Sequence, residues 1–145
     1  MLYAWTPQGP GITGFLLWEQ GQLVPVLLLG QTLPGGGQFE GGGIDGVRPN
    51  ALGQYPFAIT FTENRQIGSG AYLVGADGKL SLIARSGMTT PLGTLTRITP
   101  AYWGSGSSGI GINQQGQVVL TAKIDNGPDV VLLLTPKSPA GSPTP

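Results

Sequence analysis

Apolar residues alternate with period two over several short runs of this 145-residue chain, glycine and proline close each run, and the whole pattern recurs 57 to 63 residues later. These three observations predict an all-β fold of two tandem four-stranded antiparallel repeats, each about the size of a propeller blade. Period two marks a half-buried strand, and no stretch sustains the 3.6-residue period of an amphipathic helix. A β-sandwich satisfies the same pattern and is the alternative architecture.

In chain order, LYAWTP at 2–7 resembles LLTP at 133–136, so residues 1–13 read as the end of a preceding repeat or a lead-in. Repeat 1 spans 14–70 and repeat 2 spans 71–136 with its closing strand. Residues 137–145, KSPAGSPTP, are rich in Pro, Ser and Gly without apolar anchors and read as a flexible tail.

The repeat is clearest where GFLLWEQGQLVPVLLLGQTLPGG (14–36) aligns with AYLVGADGKLSLIARSGMTTPLG (71–93) at a spacing of 57. Phe15 matches Tyr72, Gly21 matches Gly78, and Pro34 matches Pro91. Each copy reads as strand, two-residue turn, strand, with Gly21 and Gly78 supplying the positive φ of the turn. Leu80, Leu82 and Ala84 alternate with Ser81, Ile83 and Arg85. Residues 23–29 are instead almost continuously apolar, which predicts a strand covered on both faces, and Pro25 then requires a bulge or an edge position.

Beyond the Pro-Gly turn the spacing becomes 63, because 37–40 is matched by the longer 94–103. A six-residue insertion of this kind belongs in a surface loop. Tyr55, Phe57, Ile59 and Phe61 alternate, as do Val118, Leu120, Ala122 and Ile124. Each run leads into a turn, 63–70 or 125–129, and then into an apolar strand.

Composition excludes several function classes. Seven basic residues balance seven acidic ones and form no basic run, so neither nucleic acid nor an anionic membrane surface is an expected partner. Cysteine and histidine are both absent, which removes thiol nucleophiles, thiolate zinc sites and the usual general base. No apolar span reaches 18 residues, so membrane insertion is not expected. The start of the chain does not have the form of a signal peptide, so any export signal is expected outside it.

Few motifs carry chemistry. GGGIDG (41–46) and GSGSSG (104–109) match a dinucleotide-binding pattern, but both lead into strands rather than a helix, so they read as loop geometry and no cofactor is expected. Glu19, Glu40, Asp45, Glu63, Asp77, Asp125 and Asp129 are spread along the chain, several beside turn glycines, and never form the alternating ligand run of a calcium loop. No catalytic residue or metal site is therefore expected.

Two constellations stand out. Asn50 with Gly53, and Asn113 with Gly116, occupy matching places before the long strands and read as structural turns, glycine at positive φ and asparagine capping turn amides. Trp5, Trp18, Tyr102 and Trp103 are candidate binding aromatics. Of these, Tyr102 and Trp103 lie in the insertion, where flat rings can stack on a sugar or anchor a partner; the preferred expectation is that they tuck back over a blade edge.

NQQGQVVL (113–120) resembles the N-x-x-G-x-x-A-F signature of a family of bacterial tandem-repeat proteins, with Val119 and Leu120 in place of Ala and Phe. NALGQYPF (50–57) keeps Asn, Gly and Phe but has Pro56 where the signature has Ala, and LSLIARSG (80–87) resembles the segment between signatures. The resemblance covers nearly the whole chain. It implies an exported or cell-surface protein with many propeller-like copies and no established activity.

The resulting expectation is a non-enzymatic extracellular β-repeat module of structural or binding character, forming the C-terminal part of a longer array. Its expected partners are further repeats, another copy of itself, or a glycan. The alternative is a fragment of a propeller-type glycan hydrolase or lyase whose carboxylates come from several blades.

Overall fold

The computed structural model describes residues 2–5, 12–43, 48–99 and 109–136, which hold twelve strands and no helix. The protein is all-β, with three open antiparallel sheets. The first joins β1 (Leu2–Trp5), β2 (Ile12–Glu19) and β3 (Gln22–Leu28) in sequence order. The second is a meander of β4 (Gln38–Gly43), β5 (Tyr55–Glu63), β6 (Gln66–Val74) and β7 (Leu80–Arg85).

The third sheet holds β8 (Thr89–Thr90), β9 (Gly93–Ile98), β10 (Ile110–Ile112), β11 (Val118–Ile124) and β12 (Asp129–Leu134). In it β12 lines one edge of β11 from Val118 to Lys123. The other edge is shared, β10 pairing with residues 118–120 and β9 with residues 122–124.

The sheets stack in single file with the second in the middle. Its face bearing Phe57, Ile59, Phe61, Tyr72 and Val74 packs on Phe15 and Leu27 of the first sheet. Phe15 lies between the aromatic rings, 4.7 Å from Phe57 and 5.5 Å from Phe39 between centroids. Each such ring contributes roughly 1.5–3 kcal/mol on burial. The opposite face is small, with Ala58, Ala71 and Ala84 packed against Leu95, Ile98, Ile110, Val118 and Leu120 of the third sheet. Covered on both sides, β5 buries Pro56, Phe57, Ala58 and Ile59 in succession. The period-two sequence of β11 keeps its alternating burial because no described residue covers one face of the third sheet.

Bulges change which face a strand offers. Ile83 is the extra residue in β7, since Ala71 pairs with Ala84 while Tyr72 pairs with Leu82. Before it Leu80 and Leu82 join the aromatic cluster, and after it Ala84 joins the alanine face. Val26 is the corresponding extra residue beside Pro25, and β3 is also a sheet edge, so the proline costs no ladder bond in the sheet interior.

Four sequence expectations need correction. Residues 23–29 are not covered on both faces among the described residues: Leu23 is 49% exposed and Leu29 53%, because β3 is an edge strand of the outermost sheet. The segment 63–70 is not a turn. The turn is only Asn64 and Arg65, both at positive φ, and Gly68 and Gly70 lie within β6. Those glycines make room for rings: a Cβ at 68 would overlap Phe61, and one at 70 would sit 2.6 Å from Tyr72.

The two hairpins also close differently. Gln20 and Gly21 form a two-residue turn at φ 47° and 81°, whereas five residues, 75–79, separate the paired Val74 and Leu80. Gly14 consequently pairs with Leu28, one residue beyond the pairing that Ala71 makes with Ala84. A one-residue slip turns a strand over, so Phe15 and Tyr72 meet in one cluster from opposite sheets.

Finally, β9 occupies beside β11 the place that β4 occupies beside β5: Leu95 pairs with Ile124 as Phe39 pairs with Phe61, each followed by a bulge. The amide of Gly87 donates to Leu95 O as that of Gly30 does to Phe39 O. The additional residues of the later copy therefore follow Ile98 rather than starting at Thr94. The tail, 137–145, and the loop with Tyr102 and Trp103 lie outside the described residues.

Candidate functional site

The turns that precede β5 and β11 come together in space. In the first, Asn50 Oδ1 accepts from the amides of Leu52 and Gln54, both at 3.0 Å, while Nδ2 donates to Gln54 Oε1 at 2.7 Å. In the second, Asn113 Oδ1 accepts from Gln115 N at 3.0 Å and Gln117 N at 2.9 Å, and Nδ2 donates to Gln117 Oε1 at 2.7 Å. Gly53 at φ 71° and Gly116 at φ 77° close the turns, their amides donating to the asparagine carbonyls. Both conformations suit glycine because a Cβ is strained at positive φ.

The turns are bonded to each other. Asn50 Nδ2 also donates to Asn113 O at 3.2 Å, and Ala51 N donates to Gln114 Oε1 at 2.6 Å. These bonds reach across 63 residues of sequence and fix the second and third sheets together at one end. They also make the turns unequal: Asn50 is 5% exposed beneath its neighbour, whereas Asn113 faces solvent.

A second polar cluster was not singled out by the sequence. Arg85 forms an ion pair with Glu63, donates to the carbonyls of Gly35 and Gly36, and lies 4.3 Å over the Phe61 ring. Tyr72 adds a bond from its hydroxyl to Pro34 O at 3.3 Å. Burial holds the Tyr72 phenol above its ordinary pKa; the Arg85 charge opposes that shift and Glu63 reinforces it. Together these groups clamp the 33–37 loop onto the second sheet. Three successive glycines, 35–37, run at positive φ there, and a Cβ on Gly37 would come 2.7 Å from the Phe61 ring. The only sequence signal was the Pro-Gly-Gly-Gly run, since Glu63 and Arg85 stand 22 residues apart.

The described carboxylates do not converge. Glu63 is committed to Arg85, Asp77 caps Lys79 N, Asp125 accepts from Thr94 N, and Asp129 pairs with Lys123. No group of three or more metal-ligating side chains occurs among the described residues. A half-open groove of about 220 Å³ is lined by Thr60, Ser69, Thr96 and Arg97 and holds no carboxylate. Trp18 is 55% exposed on the outer face of the first sheet, while Asp45, Tyr102, Trp103 and the Trp5 side chain lie outside what is described.

Compared with protein families, curated proteins and solved structures, the chain matches none.

Proposed function

We propose that this protein is a non-catalytic β-repeat module of structural or binding character, an open set of blade-like sheets from an extracellular or surface array. The observation that carries the reading is the pair of asparagine turns: in both, the side-chain oxygen and nitrogen of the asparagine are bonded within the chain, and Asn50 also bonds across to the second turn. A ligand site leaves polar groups pointing outward; a scaffold turns them inward. The distribution of carboxylates supports the same reading, because Glu63, Asp77, Asp125 and Asp129 each bond within the chain from a turn or strand end.

The test is turnover of a panel of polysaccharides by the purified protein, read as new reducing or unsaturated ends. No turnover is expected. Turnover that disappears in Glu63→Gln or Asp125→Asn would overturn the reading in favour of a glycan hydrolase or lyase.

A further inference from the structure

We infer that copies of this chain associate head to tail, the outer face of the third sheet of one copy seating on the outer face of the first sheet of the next. The inference rests on the stacked-module reading and supplies its partner.

The stacking inside the molecule has a direction. Phe57, Ile59 and Phe61 face back toward the first sheet, and 63 residues later Leu120, Ala122 and Ile124 face back toward the second. The forward face of the second sheet, with Ala58 and Ala71, is covered by the third. The forward face of the third sheet is also apolar, with larger side chains. Val119 pairs with Leu133 and Thr121 with Val131, placing an apolar patch on one side of β11 and β12. Nothing among the described residues covers it, and Val131 and Leu133 are 72% and 63% exposed.

By continuity with the interface already present, its occupant is a sheet presenting large apolar side chains backward. The first sheet has such a face. Trp18 pairs with Leu23 and Gly14 with Leu28, so Trp18, Leu23 and Leu28 share its outer side, each 45–55% exposed. The two ends of the stack thus carry different apolar faces, which favours a heterologous contact over a two-fold one.

Sedimentation velocity over a hundredfold concentration range tests this. One variant carries Val131→Thr with Leu133→Thr, and the other Trp18→Thr with Leu23→Thr; threonine keeps strand propensity at these exposed positions. Wild type should grow beyond the monomer with concentration, and each variant alone should stay monomeric. Their equimolar mixture should give a species of twice the monomer mass, because each retains the face the other lacks.

Three results overturn the proposal: a wild type monomeric throughout, either variant associating alone as wild type does, or a mixture that stays monomeric. Association of the Trp18 variant alone would identify a two-fold contact between third sheets. Circular dichroism of each variant separates loss of the contact from loss of the fold. Glycan turnover reads the proposed function independently.

Discussion

Asn50 and Asn113 look interchangeable in the sequence, yet the structure makes their replacement by alanine unequal. Asn50→Ala removes four hydrogen bonds at a position 5% exposed, including the link to Asn113 O. At about 0.5–1.5 kcal/mol net per bond, less what water recovers at a turn, the loss comes to about 2–3 kcal/mol. Asn113→Ala removes three bonds from an exposed turn whose amides hydrate freely, a loss of about 1 kcal/mol.

With roughly 3–4 °C per kcal/mol for a chain of this size, thermal melts should fall by about 8 °C and about 3 °C respectively. Asn50→Asp keeps the oxygen that accepts from both amides but sets its second oxygen against Gln54 Oε1 and Asn113 O, so it too should melt below wild type. Differential scanning calorimetry at fixed protein concentration reads all three. Equal losses for the two alanine variants, or a larger loss at Asn113, would refute the account of one turn buried under the other.

Other perturbations separate backbone, core and charge. Gly116→Ala should cost about 1–3 kcal/mol in urea unfolding through positive φ, because a Cβ there meets nothing nearer than 3.5 Å. Leu120→Ala, at a position 1% exposed, should cost about 2–5 kcal/mol, whereas Leu133→Ala should stay within about 0.5 kcal/mol in the dilute monomer. The raised pKa of Tyr72 gives stability that is complete below the unfolded tyrosine value, about 10, and is lost as pH rises through the folded value. Tyr72→Phe should therefore lose less stability than wild type between pH 9 and 11 in urea titrations at each pH, and parallel losses would contradict the burial of the phenol.

Strand existence was legible locally. Alternation at Tyr55, Phe57, Ile59 and Phe61, and at Val118, Leu120 and Ala122, is set by the chain's own period, and both runs are strands. The positive φ of Gly21, Gly53, Gly78 and Gly116 was legible for the same reason, since a missing Cβ is a property of the residue itself. Resemblance to a repeat family reached further than local physics, to export and to an array; it remains the basis of a proposal.

What the tertiary structure decided concerns partners. Whether an apolar row is covered depends on the sheet beyond it, which is why 23–29 reads as covered on both faces but buries only Val26 and Leu27, while β5 reads as one-sided and is buried on both sides. Gly68 and Gly70 read as a turn because the rings that require them, Phe61 and Tyr72, act through space on a strand. Arg85 finds Glu63 and the 33–37 loop only after β7 has paired with β6. The two asparagine turns become unequal only when the third sheet is laid on the second. A sequence encodes the period of each strand in adjacent residues, but the identity of its neighbour is a long-range contact that no single window contains.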